Sequence, residues 1–203
     1  MIKELVDWLI EALGAWGWAA VFIFMILESA CFPIPSEIVM PFAGYMVYKY
    51  NMGIHGLLLA SMIGTAANLI GSLLAYVVGF KVGKPFVEKY GKYLLIGEKE
   101  YARIEGFFKE YGGASVLIGR MLPAVRTVIS LPAGIFKMNI RKFTLYTVIG
   151  SIPWNLMLTY AGYILGEKWT QLSKQFEYID IIAVIVLIIA AIAYLHYVHS
   201  SSR

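Results

Sequence analysis

Hydrophobic residues in this chain fall into long blocks, separated by short stretches that contain charged residues or prolines. Two of the blocks, residues 56–80 and 143–165, contain no charged residue. Each is long enough to cross the hydrocarbon core of a bilayer as a helix. A third block, residues 177–199, predicts a C-terminal transmembrane helix. The pattern therefore predicts an all-α integral membrane protein with several membrane spans.

Two further segments have the alternation of an amphipathic helix. Apolar residues in the segment 1–14 recur at i, i+3 and i+4, with Lys3, Glu4, Asp7 and Glu11 elsewhere on the helix. This spacing predicts a helix that lies in the membrane interface. The polar segment 81–111 also carries an apolar stripe, and we expect it to lie on the cytoplasmic face. The intervening chain predicts one membrane domain over residues 15–169.

Two apolar stretches within this domain are broken by charged residues and prolines. One carries Glu28 and Glu37, and the other carries Arg120 and Arg126. The breaks are marked in the first stretch by Pro33, Pro35, Pro41 and Gly44, and in the second by Pro123, Pro132 and Gly134. Proline interrupts helical hydrogen bonding, and unpaired backbone groups are costly in hydrocarbon unless protein shelters them. We therefore predict two re-entrant hairpins, at about residues 28–50 and 113–137.

The two halves of the chain also resemble each other. Ile63-Gly-Thr is echoed by Ile149-Gly-Ser, Asn68-Leu by Asn155-Leu, and Pro41-Phe-Ala-Gly by Pro132-Ala-Gly. Several echoes in the same order favour an internal repeat. With opposed hairpins, this is the inverted-repeat pattern typical of secondary transporters.

The distribution of basic residues predicts an orientation. If the N-terminus is cytoplasmic and both hairpins return to their side of entry, twelve of the 17 Lys and Arg residues lie in the cytoplasm and three lie outside. The positive-inside rule favours that arrangement. We therefore expect a multi-pass protein of the cell membrane with both termini in the cytoplasm, and hairpins that enter from opposite sides.

Composition supports the membrane assignment and excludes several function classes. The chain is 60% hydrophobic and only 15% charged, whereas soluble domains carry about 25% charged residues. Its formal charge of +4 belongs to residues that flank apolar blocks, so no nucleic-acid partner is expected. The three histidines are scattered, and Gly-rich phosphate loops and Gly-x-Ser-x-Gly motifs are missing from the sequence. We expect neither a metal, nor a cofactor, nor an enzymatic activity.

The four charged residues of the broken segments are the candidate functional site. A charge at mid-membrane costs roughly 2.5–3.5 kcal/mol on an insertion scale, so such residues are usually paired or functional. The guanidinium groups of Arg120 and Arg126 match a phosphate with parallel hydrogen bonds, and we expect them to bind a phosphate headgroup. Glu28 and Glu37 can pair with these arginines and release them on protonation, because desolvation favours a neutral carboxyl group.

At this point the motifs resemble a known family. Phe32-Pro-Ile-Pro-Ser-Glu37, Gly119-Arg-Met-Leu-Pro-Ala-Val-Arg126 and Leu131-Pro-Ala-Gly134 are similar to motifs of the DedA family, also called SNARE-associated or VTT-domain membrane proteins. The resemblance covers about Trp16 to Trp169. It places the functional acids of the family on Glu28 and Glu37, and its functional arginines on Arg120 and Arg126. Position 37 is often Asp in bacterial relatives, which keeps the charge.

The resemblance implies translocation of membrane lipids. Bacterial members are linked to recycling of the polyprenyl-phosphate carrier, to phospholipid movement and to envelope homeostasis that depends on the proton-motive force. We therefore expect a flippase for a phosphate-bearing lipid such as undecaprenyl phosphate or a phospholipid, with protons as candidate coupling ions and homo-oligomers compatible with the pattern. Two alternatives stay open: a proton- or cation-coupled transporter of a small solute, and a scaffold whose charges only fix the fold.

Overall fold

A computed structural model describes residues 2–90, 105, 106, 108 and 110–168 of the chain. These residues form α-helices joined by short connections, and the described part of the chain contains no β-strand. The helices are α1 (Ile2–Trp16), α2 (Trp18–Ser29), α3 (Ser36–Lys49), α4 (Gly53–Tyr90), α5 (Gly113–Met121), α6 (Pro123–Arg126), α7 (Ser130–Ile135) and α8 (Ile140–Leu165). The predicted helix at 177–199 and residues 91–104 of the predicted cytoplasmic segment lie outside the described residues.

Two helices are long and apolar enough to cross a membrane. They are the Gly53–Gly83 part of α4, with 31 residues and a mean hydropathy of 1.8, and α8, with 26 residues and a mean hydropathy of 1.2. They contain the predicted spans 56–80 and 143–165. The backbone of α4 leaves helical geometry at Gly83, where φ is 54°, and a glycine accommodates that conformation without steric cost. The helical backbone of α8 continues through Pro153.

The first broken segment is a helical hairpin made of α2 and α3. The start of α2 lies beside the end of α3, since a β-carbon at Gly17 would be 3.7 Å from the sulfur of Met46. Helix α2, which begins at Trp18, is therefore the first limb of this helical hairpin, and the re-entrant hairpin at about residues 28–50 stays a prediction. Pro33 lies in the connection and Pro35 is the N-cap of α3, as their helix-breaking character predicts.

Pro41 does not break the helix, contrary to the expectation for this segment. It is the sixth residue of α3, which continues to Lys49. The missing N–H of a proline removes only the hydrogen bond to the carbonyl four residues earlier, here that of Glu37. Dense packing compensates for that loss, because residues 38–44 of α3 are all buried.

The second broken segment contains three short helices. Leu122 has an extended conformation between α5 and α6, with φ −99° and ψ 120°, and Pro123 is the first residue of α6. A proline favours that position because its missing N–H would have no helical partner there. A turn leads to α7, which includes Pro132 and Gly134. Each connection changes the chain direction over a few residues.

Each hairpin packs against the spanning helix of the other half. Helix α3 contacts α8, where Gly44 lies against the backbone of Thr159 and Gly162 lies against the carbonyl of Pro41. A β-carbon at either glycine would overlap these backbone atoms.

Helix α7 contacts α4 in the corresponding way. Gly134 lies against the backbone of Tyr76, and Gly79 lies against the carbonyl of Leu131. Glycine permits these close backbone approaches because it has no side chain. The two halves therefore interlock, which brings the broken ends of both hairpins together.

The N-terminal helix α1 has the predicted apolar stripe, and that stripe packs against protein. Val6, Leu9 and Leu13 are buried in the same hydrophobic cluster as residues of α2 and α3. The ring of Trp8 is 5.6 Å from that of Phe24 between centroids. The acidic residues Glu4, Asp7 and Glu11 are exposed on the other face. Placement of this helix in the membrane interface stays a prediction.

Candidate functional site

The site forms where the two broken segments of the chain meet. Glu28 lies in the last turn of α2, Arg120 near the end of α5, and Arg126 at the end of α6. All three are buried, with exposed fractions of 3%, 1% and 2%. The structure thus brings together three of the four charged residues that the sequence singled out.

Glu28 and Arg126 form an ion pair between the two halves. The Nη2 atom of Arg126 donates to Oε2 of Glu28 at 3.4 Å. Hydrogen bonds between guanidinium and carboxylate groups are usually 2.7–2.9 Å, so this contact is long for its type. The guanidinium also lies over the indole of Trp154 in α8, with Cζ 5.2 Å from the ring centroid. Stacking on an aromatic face stabilises the cation without using its N–H groups.

Arg120 is held by neutral hydroxyl groups. Its Nη2 atom donates to Oγ of Ser72 in α4 at 2.5 Å and to Oγ of Ser130 in α7 at 2.7 Å. Within the described residues, no carboxylate lies at ion-pair distance from Arg120. Among the residues that the structure describes, no acceptor lies within hydrogen-bond distance of the buried Nε and Nη1 atoms of Arg120 or of the buried Nη1 atom of Arg126. Buried charged donors are normally satisfied, so these N–H groups are candidates for binding an anion.

Glu37 does not complete the symmetric charge pairing that the sequence suggested. It lies in the first turn of α3, is half-buried, and accepts a hydrogen bond of 3.3 Å from the hydroxyl of Ser36. Among the described residues it forms no ion pair with an arginine, although it lies close enough to interact electrostatically with Glu28. The buried cluster therefore holds two positive charges and one negative charge when Glu28 is ionised.

Uncharged polar residues form a chain of hydrogen bonds that leads away from the charged cluster, and the sequence analysis assigned them no role. The hydroxyl of Ser29 donates to Oδ1 of Asn68 at 3.0 Å, and Nδ2 of Asn68 donates to Oδ1 of Asn155 at 3.4 Å. Nδ2 of Asn155 then donates to the hydroxyl of Thr65 at 3.1 Å. These residues were detectable from their spacing, because Ser, Thr and Asn recur every three or four residues in both spans: at 61, 65, 68 and 72 in α4, and at 147, 151, 155 and 159 in α8.

Metal-binding side chains do not cluster in the part of the chain that the structure describes. No group of three or more His, Cys, Asp or Glu residues is close enough there to hold a metal ion. The site therefore consists of guanidinium, carboxylate, hydroxyl, amide and indole groups. This set of groups can bind an anion and can exchange a proton at its carboxylate.

Comparisons with known proteins identify the family of the chain. The VTT domain family matches residues 34–164. The chain is 41% identical over 168 residues to the uncharacterized membrane protein YkoX of Bacillus subtilis, with 83% of this chain and 73% of the relative covered. It is 38% identical to undecaprenyl phosphate transporter A of Bacillus subtilis, covering 83% and 80% of the two chains, and 34% identical to the Staphylococcus aureus protein of the same name, covering 80% of each. No solved structure matches the chain.

The family match covers the loop before α3, both spanning helices and the second broken segment, and it includes Glu37, Arg120 and Arg126. Of these three relatives, one carries the name of a membrane protein and two carry the name of a transporter. These findings agree with the resemblance in the Pro-Ile-Pro-Ser-Glu and Gly-Arg-x-x-Pro-x-x-Arg motifs. The chain is a membrane protein that belongs to the DedA family of VTT-domain proteins.

Proposed function

We propose that this protein moves a phosphate-bearing lipid between the leaflets of the cell membrane. The observation that carries the proposal is the pair of buried arginines where the two broken segments meet, with three guanidinium nitrogens that lack an acceptor in the described part of the chain. A phosphate group supplies several anionic oxygens to such donors. The surplus of positive charge in the cluster favours an anion over a cation or a neutral solute.

The relatives support a lipid substrate. Two of them carry the name undecaprenyl phosphate transporter A and are 34–38% identical to this chain over most of its length. The long apolar helices support the same conclusion, since a lipid tail can remain in the bilayer while its headgroup reaches the arginines. A polyprenyl phosphate such as undecaprenyl phosphate, or a phospholipid, meets these requirements. Its transport would support membrane homeostasis.

We propose further that the two hairpins are re-entrant and form an inverted repeat. Support comes from the reciprocal contacts of the glycines. Gly44 of the first hairpin lies on the second spanning helix, and Gly134 of the second hairpin lies on the first spanning helix. Gly162 and Gly79 of the spanning helices make the matching contacts in return. Two halves related by a pseudo-two-fold axis produce such paired contacts.

Glu28 is proposed to act as a proton-linked gate, with Glu37 as its second acid. In the resting state Glu28 neutralises Arg126. When Glu28 takes up a proton, the ion pair is lost and Arg126 is released to bind the headgroup phosphate. The long Oε2–Nη2 distance of 3.4 Å supports an exchangeable pair over a permanent lock. Glu37 is half-buried and faces Glu28, so it is placed to relay protons from outside the buried cluster.

The contacts of α2 change the proposed orientation of the N-terminus. Because Gly17 lies beside Met46, we place the start of α2, and the N-terminal helix with it, on the same side of the membrane as residues 49–53. The positive-inside rule then assigns eleven Lys and Arg residues to the cytoplasm and four to the exterior, with the predicted C-terminal helix crossing back to the cytoplasm. We therefore propose an external N-terminus, in place of the cytoplasmic one expected from the sequence.

Cysteine labelling tests this orientation. In a Cys31→Ala background, Tyr50→Cys should react with a membrane-impermeant maleimide in intact cells, because the exposed side chain of Tyr50 lies on the proposed outer side. Arg141→Cys, at the exposed start of α8, should react only after the cells are permeabilised. The opposite labelling pattern would reverse the proposed orientation.

Transport in reconstituted vesicles tests the proposed substrate. We expect the protein to accelerate movement of a fluorescent polyprenyl phosphate across the bilayer and to leave the corresponding polyprenyl alcohol at the rate of protein-free vesicles. The reason is that only the phosphate offers an acceptor to Arg120 and Arg126. Equal acceleration of both lipids would exclude recognition of phosphate. Failure to move either lipid would favour a small-solute transporter or a scaffold.

A further inference from the structure

Asn68 connects groups that the proposed transport mechanism has left separate. Its side chain is fully buried in α4. Oδ1 accepts a hydrogen bond of 3.0 Å from the hydroxyl of Ser29, and Nδ2 donates one of 3.4 Å to Asn155 of α8. Its backbone carbonyl accepts the hydroxyl of Ser72, which in turn accepts a hydrogen bond from Arg120. Asn68 therefore links the arginine to the second spanning helix and to the residue next to Glu28.

The hydroxyl of Ser29 has two acceptors within reach and only one proton to donate. Oδ1 of Asn68 is 3.0 Å away and Oε2 of Glu28 is 3.5 Å away. The shorter contact is to Asn68, so the hydroxyl of Ser29 donates its hydrogen bond to the Asn68 amide oxygen while Glu28 is paired with Arg126. If Ser29 turned to Glu28, the buried Oδ1 atom of Asn68 would lose its donor.

The other charged groups that face Glu28 are few. Arg126 pairs with it from α6, Arg120 lies farther away in α5, and Glu37 lies in the first turn of α3. When a phosphate takes over Arg126, the hydroxyl groups of Ser29 and Ser36 are the neighbouring donors to Glu28 among the described residues, and that of Ser36 already donates to Glu37 at 3.3 Å. An ionised buried carboxylate requires such a donor, whereas a protonated one supplies its own hydrogen.

We propose that Ser29 and Asn68 are positioning residues that couple headgroup binding to proton uptake by Glu28. Because the hydroxyl of Ser29 donates its hydrogen bond to Asn68, it is not available as a donor to Glu28 when Glu28 loses Arg126. Glu28 instead takes up a proton from the medium, and its carboxyl O–H donates a hydrogen bond to Oγ of Ser29. Ser29 keeps its own hydrogen bond to Asn68. The whole chain of hydrogen bonds then remains satisfied. This inference rests on the proposed function, since it requires a ligand that engages Arg126.

Two substitutions should each lower the pH at which transport falls to half. Asn68→Leu frees the hydroxyl of Ser29 to stabilise ionised Glu28, so this pH should decrease. Ser29→Ala removes the hydroxyl that accepts a hydrogen bond from neutral Glu28 and thereby disfavours the neutral form, so this pH should also decrease. We expect each shift to be about one pH unit, a tenfold change in proton affinity. Ser29→Thr keeps the hydroxyl and should restore the wild-type profile.

The measurement is the rate of polyprenyl phosphate movement in vesicles over a range of pH. Thr65→Val is the matched control, because it removes the last bond of the same chain and leaves Ser29 and Asn68 in contact. Its profile should coincide with that of the wild type. Unshifted profiles, or an increase of this pH for either variant, would overturn the inference.

Other outcomes separate this inference from the proposed function. If Asn68→Leu does not fold, the comparison of Ser29→Ala with Ser29→Thr still decides, since the coupling requires only the first to shift. A shift for Thr65→Val equal to that of Ser29→Ala would contradict the inference, because general loosening of the helices would then explain both. If the wild type transports the phosphate lipid with a profile that none of these variants alters, the proposed function stands and the inference fails.

Discussion

Arg126→Lys is expected to reduce transport of a polyprenyl phosphate by about 10–100-fold. Lysine keeps the positive charge but loses the planar fork, so it cannot stack on Trp154, pair with Glu28 and offer a second N–H to a phosphate at once. A hydrogen bond to a charged group contributes about 1.5–3 kcal/mol, which corresponds to that range of rates. The initial rate of lipid movement in reconstituted vesicles measures the effect.

A matched control separates the role of the site from a general effect of the substitution. Arg141→Lys makes the same change at the exposed start of α8, away from the cluster, and should leave transport unchanged. The melting temperature of Arg126→Lys in detergent should remain close to that of the wild type, since the charge that neutralises Glu28 is retained. Wild-type transport by Arg126→Lys would exclude the phosphate-binding role of this guanidinium.

Gly134→Ala is expected to destabilise the folded protein by about 3 kcal/mol. The added β-carbon would overlap the backbone oxygen of Tyr76, and backbone atoms cannot rotate away as a flexible side chain can. Inserting a methyl group into a tightly packed contact costs about 1–3 kcal/mol, and a rigid neighbour places this case at the upper end. The apparent melting temperature should fall by roughly 6–12 °C. Thermal unfolding in detergent measures the change.

Gly14→Ala is the matched control, and we expect it to keep or raise the stability of the folded protein. Gly14 lies in α1, and a β-carbon there would meet nothing within 4 Å. Alanine is favoured over glycine in a helix by about 1 kcal/mol, so this variant should be as stable as the wild type or more stable. Equal stability of Gly134→Ala and the wild type would show that α7 and α4 do not pack as closely as the structure has them.

The sequence predicted those residues of the site that are energetically costly to place within an apolar segment. Charges and prolines are costly within an apolar segment, so Glu28, Arg120 and Arg126 stand out as residues that need special surroundings. The structure buries all three and pairs Glu28 with Arg126. The family resemblance is also confirmed by the match to the VTT domain.

The remaining features depend on packing that a linear pattern does not record. Pro41 is a helix breaker by its chemistry, yet the contacts of α3 on α8 retain it within a helix. Arg120 was expected to have a carboxylate partner, but the fold gives it the hydroxyls of Ser72 and Ser130. Such neutral residues are common in membrane helices. Only the packing of α4, α7 and α8 against one another shows which of them reach the site.

The interlocked packing of the hairpins also constrains how the protein is made. Helix α3 emerges from the ribosome well before α8, the helix against which its Pro41–Gly44 turn packs. Until α8 has been synthesised, α3 lacks the helix on which it packs, and Glu28 lacks its partner Arg126. The N-terminal half therefore reaches its final packing only after the C-terminal half has been made.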